Sequence, residues 1–496
     1  MFADEIVGEV VFNSSWRKER DSSSTSTQTR LLKTSDVAAQ SFKRRNAEAQ
    51  TDTDTKSYQL IEEDDSDALL QFLKQVEPMI SKALNRNTQS TAFDGYVSAA
   101  ELESGKCSVV HTLCNEEHNG LLSVTSLSWN STGSVVAASF GRFDHEDWCV
   151  HKASLCSWNV NKSVVTGNKP DTIIDTASCL LTVAFHPVKP ALIAGGSFNG
   201  EVMVWDYSRD TDMLVATSGK GDESHNEPIS KVLWQRAPGK RVRYNVLSVG
   251  MDGKILIWKL DADKHKLVLT QSFVLLAKHM PRSVKIKSSK KHQEMGVTSL
   301  SFSSIDEDVF YMGAESGGMF KCSFATDTDI GDGSQSTPLV DPVKFTFSPH
   351  HGPVYSMAGS PHHRNLLLSC SSDTTLRLHS VLQTQPLVVI EPACGYLYAA
   401  RWSPIRPLVL AVTTQDGQLL IYDLRKSETT PVESLDASPT KQSIYTMEFN
   451  SKQRHLMASG DALGVIKVWR LNDELTVESA AERELLNKLA DVSSHE

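Results

Sequence analysis

The sequence lacks the features that would place this 496-residue chain in a membrane or outside the cell. No apolar run approaches the ~20 residues needed to span a bilayer. Residues 1–5 have neither the basic start nor the apolar core of a secretory signal. The 8 cysteines include no Cys-x-x-Cys pair, so we expect them to be reduced and mostly small core residues. The net charge of −10 argues against a general nucleic-acid binder. We therefore expect neither membrane insertion nor a nucleic-acid partner.

The fingerprints of common active sites are also absent. There is no P-loop, no glycine-rich dinucleotide-binding turn, no Gly-x-Ser-x-Gly and no His-Glu-x-x-His. Two histidine pairs, at 350–351 and 362–363, follow Ser-Pro turns without an acidic or cysteine partner at ligand spacing, which predicts solvated turn histidines. Residues 144–147 are polar and are expected at an exposed hairpin tip. The sequence therefore predicts no catalytic residue, no metal site and no cofactor.

The chain does contain one motif that is repeated along its length. It consists of an apolar run, a small residue, a glycine-rich turn, an alternating apolar run and a final aromatic residue. Two of the turns contain Asn199–Gly200 and Asp252–Gly253, which are strong hairpin signals because both central positions favour positive φ. Self-similarity of this kind is typical of WD repeats, each of which forms a four-stranded blade of a β-propeller. The clearest copies are residues 192–205, 246–258, 409–422 and 456–469.

A second landmark gives the number of repeats. A short strand that ends in an aromatic residue or its substitute precedes each copy of the motif, and it occurs seven times. We therefore predict an all-β fold, a seven-bladed WD-repeat propeller over residues 107–472. The longest insertion lies between residues 258 and 297, and its basic stretch 282–292 is either a solvated loop or a contact with an acidic partner. The landmarks are Trp129, Phe185, Trp234, Phe302, Gly359, Trp402 and Phe449.

The predicted ring needs one strand from outside the repeats. Little strand-like sequence follows Trp469, and residues 473–496 form a charged, helix-prone tail. The isolated apolar run at residues 108–113 is therefore predicted to supply the outer strand of the seventh blade, through Val109, Val110 and Leu113.

The N-terminal region differs from the propeller in composition. Residues 1–65 are rich in polar residues and hold few large apolar ones, so they are predicted to be disordered when free. Two segments centred on Gln and Thr suit β-augmentation, in which an extended segment adds a strand to the sheet edge of a partner. The residues of these two segments are Thr27, Gln28 and Thr29, and Gln50 and Thr51.

An amphipathic helix is predicted over residues 66–87, ahead of a linker at 88–106. Its apolar residues recur at three- and four-residue steps and form one stripe. Pro78 removes a helical hydrogen bond, so the helix either bends there or consists of two pieces. The stripe either packs back on the propeller or binds a groove on a separate subunit. Its members are Leu69, Phe72, Leu73, Val76, Met79, Ile80, Ala83 and Leu84.

This order of parts resembles the dynein intermediate chains, which combine Thr-Gln-Thr-like strands, an amphipathic helix and a WD-repeat propeller. Residues 92–95, 124–137 and 345–355 look most like the intermediate chains of cytoplasmic dynein-2, the motor of retrograde intraflagellar transport. The resemblance covers nearly the whole chain. It implies a non-catalytic subunit, because the ATPase belongs to the heavy chain.

The resemblance also implies partners. The Gln–Thr segments would bind small dimeric light chains, although Ala49 replaces the first Thr of the second segment. The helix would bind roadblock-type light chains, and the propeller would bind the dynein-2 heavy chain in a complex with a second intermediate chain. We expect the protein in the cytoplasm, the cytoskeleton, the cilium and the ciliary base, including the basal body and centrosome. The alternative is a generic WD-repeat scaffold, either a ubiquitin-ligase substrate adaptor or a trafficking-complex subunit.

Overall fold

The computed structural model describes residues 66–88 and, between residues 107 and 491, all except 119, 146–147, 163–164, 210, 222, 238, 240–241, 285–292 and 327–336. The chain divides into two compact units, Met1–Asp94 and Gly95–Glu496. In the first unit the described element is helix α1 (Ser66–Thr88), which continues through Pro78 as a single helix. None of the described helices is both long enough and apolar enough to cross a lipid bilayer.

The second unit is built from four-stranded blades whose successive strands pair as antiparallel hairpins. The strands of the first three blades, in order, are β2 (Ser123–Trp129), β3 (Val135–Gly141), β4 (Ala153–Asn159) and β5 (Thr172–Thr176), then β6 (Leu180–Phe185), β7 (Leu192–Ser197), β8 (Val202–Asp206) and β9 (Leu214–Thr217), then β10 (Ile229–Arg236), β11 (Tyr244–Gly250), β12 (Lys254–Asp261) and β13 (Lys266–Val274).

The remaining four blades follow the same plan with two irregularities. The short strand β17 (Leu339–Val340) pairs in parallel with β13, and the seventh blade takes its fourth strand, β1 (Ser108–Cys114), from ahead of the first blade. The other strands are β14 (Val297–Phe302), β15 (Val309–Ala314), β16 (Met319–Ser323) and β18 (Val343–Thr346), then β19 (Val354–Gly359), β20 (Leu366–Ser371), β21 (Leu376–Ser380) and β22 (Pro386–Ile390), then β23 (Leu397–Trp402), β24 (Val409–Thr414), β25 (Gln418–Asp423) and β26 (Glu433–Asp436), then β27 (Ile444–Phe449), β28 (Leu456–Asp461) and β29 (Val465–Arg470).

The innermost strands of the blades contact one another around a closed ring. The contacts run from β2 through β6, β10, β14, β19 and β23 to β27, and β27 contacts β2 again. Each of the seven sequence landmarks lies in one of these innermost strands. The structure therefore confirms the predicted all-β, seven-bladed propeller with a helix ahead of it.

Three landmark tryptophans also connect neighbouring blades. The indole N–H of Trp129 donates to the carbonyl of Glu448 at 3.2 Å. Trp234 donates in the same way to Ala184 at 2.9 Å, and Trp402 to the carbonyl of Ala358 at 3.1 Å. Three of the landmark residues used to count the repeats thus donate an indole hydrogen bond to the innermost strand of the preceding blade.

The hairpin prediction was wrong in one detail. Gly200 and Gly253 adopt φ values of 80° and 77°, but Asn199 and Asp252 do not have positive φ. The Asp252 carboxylate accepts a hydrogen bond from the backbone N–H of Lys254 at 3.1 Å, which holds the aspartate in an ordinary turn conformation. Only the glycine therefore needs the left-handed region.

The residues predicted to be a charged tail pack on the propeller. They form α2 (Asp473–Thr476) and α3 (Ala480–Ala490). Leu486 and Ala490 are buried against the apolar cores of the fifth and sixth blades, and Leu475 is buried with residues of the sixth and seventh blades. The tail was predicted from its charged composition, and these three buried positions are few and divided between two short helices.

Candidate interaction surfaces

The arm predicted to carry two docking strands lies outside the described residues. This applies to Thr27, Gln28, Thr29, Gln50 and Thr51, which therefore remain sequence-based predictions.

The stripe on α1 is a solvent-exposed apolar surface. Val76 is half-buried and Ala83 is exposed, and the six larger side chains have half or more of their surface exposed. Helical geometry places Pro78 on the opposite face, where the missing N–H and the carbonyl it would have bonded can be solvated. Contiguous exposed apolar surface is typical of interaction sites. The six larger side chains are those of Leu69, Phe72, Leu73, Met79, Ile80 and Leu84.

The strand predicted to close the ring is β1, which pairs antiparallel with β29. Leu113 is fully buried, whereas Val109 and Val110 are 41% and 43% exposed. The register shifts between Val109 and His111, so Val110 lies in a bulge without an opposite residue. Leu113 therefore provides the packing, and Val109 contributes through its backbone pairing with Trp469.

A buried histidine in the third blade joins a turn to two strands. His225 Nδ1 is 3.0 Å from a carboxylate oxygen of Asp252, and its Nε2 is 2.8 Å from the hydroxyl of Ser248. The same hydroxyl accepts a hydrogen bond from the indole N–H of Trp258 at 2.8 Å. Fully satisfied networks of this kind rigidify a core.

The fifth blade repeats the network and corrects the prediction that His350 is a solvated turn histidine. His350 is fully buried, with Nδ1 2.9 Å from Asp373 and Nε2 2.8 Å from Ser369. His379 takes the place of the tryptophan, 3.1 Å from the same serine. Burial lowers the pKa of His350 although Asp373 raises it. The acidic partner lies 23 residues along the chain, on the next hairpin turn, so ligand spacing could not reveal it.

The innermost strands enclose a central cavity of about 460 Å³. Lys231 and Arg401 are on its wall, and burial, reinforced by Arg401, lowers the pKa of Lys231 to about 8. Three tyrosine rings lie in sequence beside them, with centroids 5.3 and 5.0 Å apart. The Arg401 guanidinium is already paired with the Glu448 carboxylate at 3.0 Å. The tyrosines are Tyr355, Tyr398 and Tyr445.

A buried ion cluster, which the sequence did not reveal, attaches α3 to the sixth blade. Arg406 Nη2 lies 2.7 Å from Glu482 and 3.0 Å from Asp423, and each of these side chains is at most 1% exposed. Burial alone would lower the pKa of Arg406, but the two carboxylates outweigh it and raise that pKa. Glu482 also completes a capping box with Ser479. The Ser-x-x-Glu spacing was the one available signal for the start of this helix.

The sequence is similar to dynein intermediate chains along nearly its whole length. It is 40% identical to the mouse protein "Cytoplasmic dynein 2 intermediate chain 2" over 493 residues, which cover 98% of this chain and 92% of the mouse protein. The chain belongs to the dynein intermediate chain family.

Two further relatives place this intermediate chain within its family. The human "Cytoplasmic dynein 2 intermediate chain 2" is 42% identical over 425 residues, which cover 85% of this chain and 79% of the human protein. The human "Dynein axonemal intermediate chain 2" is 24% identical over 368 residues, which cover 74% of this chain and 55% of that protein. Residues 277–471 match the family described as "Dynein axonemal intermediate chain 3 WD40 domain". This match spans the fourth to seventh blades of the intermediate chain.

Proposed function

We propose that this protein is a non-catalytic intermediate chain of cytoplasmic dynein-2, which links light chains to the motor heavy chain for retrograde intraflagellar transport and cilium assembly. The observation that supports this most strongly is the extent of the similarity. The match to the mouse dynein-2 protein extends over the N-terminal region and the propeller, whereas the match to the axonemal intermediate chain 2 covers less of the chain.

The architecture suits a scaffold that binds several partners. The exposed stripe of α1 offers a groove-binding face for a roadblock-type light chain, and the rigid ring offers a platform for the heavy chain. A second intermediate chain completes the assembly, and the small dimeric light chains bind the arm. The protein would act in the cytoplasm and at the cytoskeleton, in the cilium and at its base, including the basal body and centrosome.

Affinity purification from ciliated cells tests this proposal directly. The tagged full-length chain is expected to recover the dynein-2 heavy chain, a second intermediate chain and both types of light chain. Recovery of ubiquitin-ligase subunits or vesicle-coat subunits without any dynein subunit would instead support the alternative scaffold function.

Alanine substitution of the arm is expected to remove the small dimeric light chains. The variant replaces Gln28, Thr29, Gln50 and Thr51 together, because each segment would add one strand to a light chain and fill its pockets with alternate side chains. Since two linked sites raise the effective concentration for each other, the recovery of these light chains should fall at least tenfold. Quantitative mass spectrometry of the purified complex measures this loss.

The matched control for the arm carries the same number of polar-to-alanine changes outside the two segments. Replacing Ser22, Ser23, Thr34 and Ser35 by alanine should leave the light chains bound. Equal recovery from both variants would contradict the strand-addition hypothesis.

Two charges in the apolar stripe are expected to release the roadblock-type light chain. Leu73→Glu with Val76→Glu would place two carboxylates in an apolar groove, at a cost of several kcal/mol. The melting temperature of the propeller should stay unchanged, because Leu73 is 54% exposed and Val76 is half-buried. Co-purification and differential scanning calorimetry measure the two outcomes.

The control adds the same charge on the opposite face of α1. Gln71 and Ser81 point away from the stripe by helical geometry and are both exposed, so changing both to glutamate should leave the light chain bound. If Leu73→Glu with Val76→Glu lowers the melting temperature of the propeller, the stripe packs within this chain and the proposed docking role is wrong.

A further inference from the structure

Three side chains that the proposed function does not use converge where the first and second blades meet. The ligand atoms of His145, Cys149 and Cys179 all lie within 4.8 Å of one another, and His145 Nε2 is 3.4 Å from Cys179 Sγ. Cys149 and Cys179 are 1% and 0% exposed. Cys149 lies between β3 and β4, and Cys179 immediately precedes β6. Two separate connections therefore meet at these atoms.

His151 lies beside the group and is its nearest candidate for a fourth ligand. Its Nδ1 is 4.0 Å from Cys149 Sγ, and its ring centroid is 4.9 Å from that of His145. In a tetrahedral zinc site, with Zn–S near 2.3 Å and Zn–N near 2.0 Å, neighbouring ligand atoms are about 3.3–3.8 Å apart. The separation of 3.4 Å between His145 and Cys179 falls within this range. His151, 4.0 Å from Cys149 Sγ, lies just outside it and would have to rotate toward the other ligand atoms to become the fourth ligand.

The surroundings orient the ligand atoms and bury the two thiols. Cys149 Sγ accepts the backbone N–H of Cys179 at 3.3 Å, a bond that stabilises a thiolate. The Asn199 side chain accepts from the backbone N–H of Cys149 and donates to its carbonyl, both at 2.9 Å. The ring of Phe198 packs against His145 at 4.4 Å. Such outer contacts fix the orientation of metal ligands.

We propose that His145, Cys149, His151 and Cys179 form a structural zinc site. Two thiolates and two imidazoles in tetrahedral arrangement select zinc, and four protein ligands leave no open position for a substrate. On binding, the two thiols release their protons to solvent as the Zn–S bonds form. This proposal revises the sequence-based expectation of no metal site. The ligands are at most 34 residues apart in the sequence, but their spacing matches no familiar zinc motif.

The proposed ion would fix a connection that reaches the central cavity. Phe143, two residues before His145, contacts the ring of Tyr445 in the seventh blade at 4.9 Å and lines that cavity. On the other side of His145, Trp148 lies 4.2 Å beneath the ammonium group of Lys220. Metal binding at this point would therefore hold Phe143 and Trp148 in these contacts.

Metal analysis of the full-length protein tests the site. Protein purified under reducing conditions without added chelator is expected to carry about one zinc ion per chain by mass spectrometry of the metal. After exchange into Co²⁺, it should show thiolate-to-cobalt charge-transfer absorption and the visible bands of a tetrahedral complex. Cys149→Ala with Cys179→Ala should remove both signals.

Cys370→Ala is the matched control, because Cys370 is equally buried but lies in the fifth blade. It should retain the zinc and the cobalt spectrum. Zinc at background level in the unmodified protein, or zinc retained by the double cysteine variant, would overturn the proposal. A Cys149–Cys179 disulfide found by peptide mass spectrometry in the reduced preparation would overturn it as well.

A second variant keeps the proposal testable if the double cysteine variant does not fold. His145→Ala with His151→Ala changes one half-buried and one exposed side chain and leaves the buried thiols in place. It should weaken Zn²⁺ binding at least tenfold in a competition titration with a chromogenic chelator. Unchanged affinity in a folded histidine variant would also overturn the assignment. These outcomes are independent of light-chain and heavy-chain binding, so they separate the zinc site from the proposed motor function.

Discussion

A chain that begins at residue 120 is expected to aggregate, whereas a chain that begins at residue 103 is expected to fold. The two differ by β1, without which β29 would expose a row of unpaired backbone groups. Leu113 is fully buried in the core formed with Ile466 and Val468, and the loss of such a leucine alone costs about 2–5 kcal/mol. Size-exclusion chromatography and thermal unfolding of the two chains measure the difference.

Point variants distinguish the contribution of the buried Leu113 side chain from that of the backbone pairing of β1. Leu113→Asp should reproduce much of the defect, because it places a carboxylate in an apolar core. Val109→Asp should have little effect, since Val109 is 41% exposed in the same strand. If the chain that begins at residue 120 is as monodisperse and stable as the longer one, β1 is dispensable for the ring. The longer chain should also bind the heavy chain without light chains, and its failure to do so would locate that interaction elsewhere.

Glu482→Ala is expected to lower the free energy of unfolding by about 3–5 kcal/mol, because it removes one of the two carboxylates that compensate the buried guanidinium of Arg406. Arg406 would keep Asp423, but the hydrogen bonds from its Nε to Glu482 at 3.1 Å would be lost. The helix start would lose its capping box as well. Chemical denaturation with fluorescence detection measures the change.

Glu484→Ala is the control for this experiment, since it lies on the same helix but is exposed. It should leave the unfolding free energy within about 0.5 kcal/mol of the unmodified protein. A Glu482→Ala protein as stable as the Glu484→Ala protein would show that the pairing of Glu482 with Arg406 contributes nothing to stability. Replacing Arg406, Asp423 and Glu482 together by apolar residues of similar volume should restore much of the loss, because no buried charge would then remain unpaired.

The repeating parts of the fold were predictable because each blade carries local signals. In each blade the landmark residue and the glycine turn are close together in the sequence. Their regular spacing can therefore be recognised without the structure. The closing strand could be predicted by elimination, because little strand-like sequence remains after Trp469. The amphipathic stripe of α1 was equally local, because its periodicity lies within one helix.

The features that escaped prediction depend on residues that the ring brings together from distant positions. Arg406 and Glu482 are 76 residues apart, and neither position differs from an ordinary surface charge in the sequence. His350 contacts Asp373, which lies in the next hairpin turn, and the sequence did not show how these two segments align. The cluster of His145, Cys149 and Cys179 joins two blades, so it becomes visible only when blade packing is known.

The pairing of β1 with β29 sets an order of events during synthesis of the protein. β1 leaves the ribosome before any blade, but its partner strand is made roughly 350 residues later, which takes on the order of 20–70 s. During that interval the apolar side chain of Leu113 has no core to enter, and the first blade has no seventh blade beside it. We therefore expect the nascent chain to remain an open, chaperone-dependent arc of blades until the last strand emerges.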